Sequence, residues 1–305
     1  MERSIAVQQW TGEGPMPRSE LLAQIKGCDG VLVLLTDKID AAAIAAAGPQ
    51  LKVVSTMSVG YDHVHVPTLK QHKIKLGITP DVLTDASAEL TVGLLLATAR
   101  RFKEAIPIGQ SDNWGAWNPT FLTGRQISGT MIGVIGFGRI GQAVACRLKA
   151  FNPSKIQYFS PSAKPDAEHD IGATRVAEFQ TFLNSSDIVI VTCKLTDETR
   201  GLLNAEKLGW MKKDSILINT ARGGIINHDD LYVALSSGAV GAAGLDVTDP
   251  EPFPSNHKLH SLSNCLILPH IGSATMKTRE AMADLAVSNV IAGVLGKELP
   301  ASVAF

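Results

Sequence analysis

Between residues 130 and 270 short apolar runs recur along the chain, separated by helical or polar stretches. They are Met131–Ile135, Ile156–Phe159, Ile188–Thr192, Ile216–Asn219, Ala242–Leu245 and Cys265–Leu268. Apolar and without regular polar alternation, they read as strands buried on both faces. The stretches between them change period. In Arg139–Phe151 the apolar residues Ile140, Val144, Leu148 and Phe151 recur at helical spacing. Strands alternating with helices predict βαβ units, hence an α/β fold with a doubly wound parallel sheet. Ahead of this region, Thr84–Ile106 predicts one long helix carrying Leu90, Leu94 and Leu95, and Ala41–Ala47 predicts a short one.

An open parallel sheet binds its ligand beyond the carboxyl ends of its strands, so the residue after each run carries the candidate chemistry. The first run is followed by Gly136-Phe137-Gly138-Arg139-Ile140-Gly141, a G-x-G-x-x-G between a strand and a helix. Gly136 permits a tight turn, Gly138 lets backbone approach a pyrophosphate, and Gly141 lets the helix pack close to the strand. The second run ends in Ser160-Pro161-Ser162-Ala163-Lys164, without the acid that usually holds the ribose hydroxyls of NAD. Hydroxyls at Ser160 and Ser162 with the charge of Lys164 accept a 2′-phosphate instead, so NADPH is expected over NADH. Arg222 follows the fourth run, and a guanidinium grips a carboxylate as a fork. Asp246 follows the fifth; it suits a cofactor contact, with turn capping as the competing role. His270 follows the sixth and is a candidate acid–base, since histidine titrates near neutral pH. Glu251, between prolines in Asp249-Pro250-Glu251-Pro252, is a candidate to orient that imidazole.

Composition narrows the class. With 28 basic and 29 acidic residues and 45% hydrophobic positions, the chain suits a packed protein and shows no basic block for nucleic acid. Cys28, Cys146, Cys193 and Cys265 are scattered, which suggests a reducing compartment. The opening MERSIAVQQW has no apolar core, and no stretch is long enough to span a bilayer, so a cytoplasmic protein with no membrane partner is expected. His63 with His65, and His257 with His260, lack a third ligand at suitable spacing, so no metal is predicted.

The segments GFGRIG, NTARGG, GLDVTDPEP and LPHIGSAT, in this order and spacing, resemble the D-isomer-specific 2-hydroxyacid dehydrogenase family over nearly the whole chain. Ser55–His63, Thr79–Leu90 and Asn113–Pro119 resemble its glyoxylate/hydroxypyruvate reductase branch. The resemblance implies hydride transfer between a nicotinamide and a small 2-oxo acid, with Arg222, Glu251 and His270 as catalytic trio. It implies further cofactor contacts at Arg139, Ile140, Lys194, Thr220 and Gly272, and substrate contacts at Val59, Gly60 and Ser273. It also implies two Rossmann-like domains, the cofactor domain (104–272) inserted within a flavodoxin-like substrate domain (1–103 and 273–305). The long helix would then cross between the domains as a hinge. The chain opens near what is the family's second strand, so a first strand and helix are expected to be missing. Arginines common after the second strand of NADPH-using relatives are absent, which leaves Lys164 as the only nearby positive charge expected. Trp114 and Trp117, three apart, would share a helical face at a homodimer interface. Two rivals are a phosphoglycerate dehydrogenase and a non-catalytic dinucleotide sensor; the near absence of tails counts against the second.

Overall fold

The computed structural model describes residues 5–305, which divide into two compact units. The first comprises the chain up to Val82 together with Met276–Phe305; the second is Leu83–Thr275.

The first unit opens with α1 (Arg18–Gln24), β1 (Gly30–Val33), α2 (Ala41–Ala47), β2 (Val53–Thr56), α3 (Val66–Gln71) and β3 (Lys75–Gly77). The strands are parallel in the order β1-β2-β3. The alanine run forms α2 as its composition predicts, started by the Asp40 side chain, which accepts from the Ala43 amide at 3.0 Å. Val33, Val54, Leu69 and Leu76 are buried in one core with Ile39 and Ile44.

The second unit runs α4 (Thr84–Ala99), α5 (Phe102–Gly109), β4 (Met131–Ile135), α6 (Arg139–Lys149), β5 (Lys155–Phe159), α7 (Pro165–Ile171), β6 (Ala173–Arg175), α8 (Phe179–Ser185), β7 (Ile188–Val191), α9 (Ala205–Leu208), β8 (Ile216–Asn219), α10 (His228–Ser236), β9 (Ala242–Leu245) and β10 (Cys265–Ile267). Its seven strands are all parallel in the order β10-β9-β8-β7-β4-β5-β6. The order reverses between β4 and β7, which is where such sheets bind ligands. Helices cover both faces. Ile132, Ile188, Ile190, Ile216 and Ile218 pack with α4 and α6, whereas Val189, Val191 and Leu217 pack with α8 and α10. The continuous apolar runs follow from this, because both sides of the pleat are buried. The chain then returns to the first unit as α11 (Met276–Val294), which lies against β1, β2 and β3. The approach is close: a Cβ on Gly293 would sit 2.5 Å from Val53 Cβ.

Three expectations are corrected. The single helix over 84–106 is two, because Arg101 takes left-handed backbone at φ 59°. Its guanidinium grips Glu104 in the first turn of α5 as a fork at 2.9 and 2.8 Å. The first boundary lies at 82/83 instead of 103/104, and the second at 275/276 instead of 272/273. The cause of the first shift is that α4 packs against α6, β8 and β9. Trp114 and Trp117 are not on a helix; they lie in an irregular stretch, 71% and 87% exposed. Among the described residues, no helix is long and apolar enough to cross a membrane.

Candidate active site

The glycine loop follows β4 at the reversal of strand order. Gly136 has φ 85°, and a Cβ there would lie 2.6 Å from the Cys193 backbone after β7. A Cβ on Gly141 would lie 2.4 Å from the Gly136 carbonyl, to which Thr192 also donates through Oγ1 at 2.7 Å. A Cβ on Gly138 would meet nothing within 4 Å. Two glycines therefore serve packing, while the middle one keeps open the space at the start of α6. Gly138 is the N-cap of that eleven-residue helix and offers no side-chain cap, so the first-turn amides remain for an anion. Arg139 is exposed at this end, and the Ile140 side chain packs toward the core. A dinucleotide pyrophosphate fits this cradle.

At the end of β5, Tyr158 stacks on Phe137 of the glycine loop with ring centroids 4.1 Å apart. Its hydroxyl donates to Glu168 and accepts from the Lys164 amide at 2.8 Å, which fixes the turn over 160–164. Ser160 is buried, and its hydroxyl donates to the Ser162 carbonyl at 2.6 Å, so its proton is spent inside the turn. Ser162 and its neighbours Pro161 and Ala163 are exposed. Lys164 is not the only positive charge here. Arg175, from the unpredicted strand β6, donates through Nε to the Ser160 carbonyl at 3.1 Å and through Nη2 to the Pro161 carbonyl at 2.8 Å.

Arg222 follows β8 in extended backbone and donates through Nη1 to the Ala221 carbonyl at 2.8 Å. Asn219, fully buried, braces this turn. Its Nδ2 donates to the Arg222 carbonyl at 2.9 Å and its Oδ1 accepts from the Ala221 amide at 3.0 Å. Gly223 is required for the next step, since a Cβ there would lie 1.9 Å from the Thr248 carbonyl carbon. Thr220 bonds to Thr91 of α4, Oγ1 to Oγ1 at 2.8 Å. Lys194, after β7, is exposed.

Of the two roles open to Asp246, the geometry shows the capping one. The side chain is 1% exposed and its two oxygens accept from the Ile271 and Gly272 amides, both at 2.8 Å. Burial, the largest influence, raises its pKa against those two bonds and the charge of His270. The His270 amide donates to the Asp246 carbonyl at 2.8 Å. So pinned, His270 occupies left-handed backbone at φ 55° and meets Glu251, Nδ1 to Oε2, at 2.8 Å. Glu251 also accepts from the Thr248 amide at 2.9 Å. Burial would raise the Glu251 pKa, but the bonds from His270 and Thr248 and the charges of His270 and Arg222 outweigh it and hold the carboxyl below its usual range. The carboxylate is therefore ionised at neutral pH and accepts a hydrogen bond from Nδ1–H, which leaves Nε2 as the ring nitrogen outside this pair. Ser273 follows, half-buried. Burial pushes the Cys193 thiol up to about 11 and Cys265 to about 12, so neither supplies a nucleophile near neutral pH.

The second unit thus gathers the glycine loop, Arg222, Asp246, Glu251 and His270 at the carboxyl ends of one sheet. Val59 and Gly60 belong to the first unit, in the loop after β2. There Thr56 and Ser58 bond through their hydroxyls at 2.8 Å, and Ser58 donates to the Gly60 carbonyl at 2.6 Å. Among the described residues, the Val59 and Gly60 amides have no acceptor in the chain. Sequence reasoning missed Asn219, Thr248 and Arg175. The first two flank named residues and were legible as polar groups at strand ends; Arg175 was hidden with its strand.

The model for "D-isomer specific 2-hydroxyacid dehydrogenase, NAD binding domain" matches residues 92–272. The chain is 46% identical over 294 residues to the human glyoxylate reductase/hydroxypyruvate reductase, covering 96% of this chain and 89% of that one. It is 47% identical over 290 residues to the glyoxylate reductase of Thermofilum pendens, covering 95% and 85%. Its structure resembles that of an NADPH-dependent glyoxylate/hydroxypyruvate reductase from Sinorhizobium meliloti, solved with NADP and malonate, at TM-score 0.84 and 33% identity, covering 92% and 86%.

Proposed function

The chain belongs to the D-isomer-specific 2-hydroxyacid dehydrogenase family, and from that premise we propose that it reduces glyoxylate or hydroxypyruvate, with NADPH preferred to NADH. The observation that carries the reading is the 2.8 Å pairing of His270 with an ionised Glu251 at the ligand edge of the sheet. A bound nicotinamide dinucleotide supplies the hydride. The amides at Gly138, Arg139 and Ile140 would hold its pyrophosphate. Ser162 and Lys164 would meet the adenosine ribose, and Lys194, Thr220 and Gly272 lie along the same edge.

The chain's own part is proton transfer and positioning. His270 donates from Nε2 to the carbonyl oxygen as charge develops there, and Glu251, which accepts from Nδ1–H, favours the protonated ring beforehand and holds its orientation. In the second unit Arg222 binds the substrate carboxylate, with Ser273 a further candidate contact; in the first unit the Val59 and Gly60 amides are the candidate donors to a carboxylate. Asp246 acts at one remove by holding the turn that sets His270. The missing carboxylate after β5 supports the NADPH preference. The chain forms a homodimer through the surface bearing Phe102, Ile106, Trp114, Trp117 and Phe121, all exposed in the single chain.

The deciding experiment follows nicotinamide oxidation with glyoxylate, hydroxypyruvate and phosphohydroxypyruvate in turn. Turnover is expected with one of the first two. Arg222→Ala should lower kcat/KM by about 10- to 150-fold, the worth of a charged hydrogen bond. A preference for phosphohydroxypyruvate overturns the substrate assignment, and equal efficiency with NADH and NADPH overturns the cofactor assignment.

A further inference from the structure

We infer that Arg175, on the edge strand β6, is the residue that selects a 2′-phosphorylated dinucleotide, with Lys164 as its partner. This rests on the NADPH reading above and names the group that produces it.

Strand β6 runs parallel to β5 with Arg175 opposite Tyr158, so the residue stands at the carboxyl edge beside the turn over 160–164. Its guanidinium is tied to that turn by the bonds to the Ser160 and Pro161 carbonyls at 3.1 and 2.8 Å. Those bonds do two things. They hold a long side chain in one place before any ligand arrives, which lessens the ordering cost of binding. They also occupy two carbonyl oxygens whose partial negative charge would otherwise face an incoming phosphate. The charge itself stays uncompensated: among the described residues Arg175 is exposed and pairs with no carboxylate. Glu168, an acid at this corner, is engaged by the Tyr158 hydroxyl. A placed, unpaired guanidinium beside a turn that lacks a ribose-binding acid suits a dianionic phosphate and gives nothing to a neutral ribose diol.

The test is calorimetric binding of 2′,5′-ADP and of 5′-AMP to the full chain, beside the ratio of kcat/KM for NADPH over NADH. In Arg175→Gln, 2′,5′-ADP should bind about 10- to 100-fold more weakly while 5′-AMP is unchanged, and the cofactor ratio should fall in step. Arg175→Lys should recover part of the loss, since it restores the charge without the fork. Wild-type affinity for 2′,5′-ADP in Arg175→Gln overturns the inference. So does an equal loss for both nucleotides, because it shows that Arg175 only shapes the turn. A wild-type chain that binds 2′,5′-ADP no more tightly than 5′-AMP overturns the NADPH reading itself.

Discussion

At the scale of the residue, the candidate site contains one histidine held where its backbone does not prefer to be. The left-handed region costs a side-chain-bearing residue roughly 1–2 kcal/mol, and His270 lies there at φ 55°. Asp246 offsets that cost by accepting from the two amides that follow His270 and from its own N–H. Glu251 then fixes the ring. Because the folded-state pKa of Glu251 is held below the ordinary 4.5, the sign of its effect on stability follows. Its contribution is complete above the unfolded pKa and is lost as pH falls through the folded one. The urea midpoint of the wild-type chain should therefore fall more steeply than that of Glu251→Gln as the pH drops below about 5. Identical acid limbs for the two proteins would show that the pairing adds no stability.

At the scale of the element, the glycine loop joins two glycines that packing requires to one that faces open space. Gly141→Ala must push a Cβ against the Gly136 carbonyl, and such overpacking costs about 1–3 kcal/mol. Gly138→Ala meets only open space, so thermal stability should be near wild type while cofactor affinity drops. A Gly138→Ala protein that binds NADPH normally would remove the loop from the cofactor site. How far the elements were legible follows from burial. Six strands of the large sheet could be read because both faces are covered, which leaves unbroken apolar runs such as Ile188–Val191. Strand β6 could not, since two of its three residues are exposed and it makes no such run. With it went Arg175, so the apolar pattern leaves only Lys164 visible as a positive charge at this corner. The break between α4 and α5 was equally hidden, because a left-handed arginine held by Glu104 has no signature in hydrophobic spacing. That Arg222, Asp246 and His270 follow strands was legible because the apolar runs mark where the strands end; that Asp246 caps a turn is seen only in its bonds to the Ile271 and Gly272 amides.

At the scale of the whole molecule, the exposed aromatic surface on and after α5 predicts association. Trp114, Trp117, Phe102 and Phe121 are all exposed, and exposed apolar patches mark interaction sites. Sedimentation at micromolar concentration should give a dimer, and Trp117→Glu should shift it toward monomer; a wild-type monomer would leave this surface without a partner. The division of the first unit between the two ends of the chain has a consequence in time. During synthesis β1, β2 and β3 leave the ribosome before the whole second unit, about 190 residues ahead of α11, which at roughly 5–20 residues per second is a wait on the order of 10–40 s. Throughout that wait the nascent sheet lacks the helix that lies against all its strands. The newborn protein is thus exposed for longest at its oldest residues, and its yield in a cell will depend on what shields them until the last helix arrives.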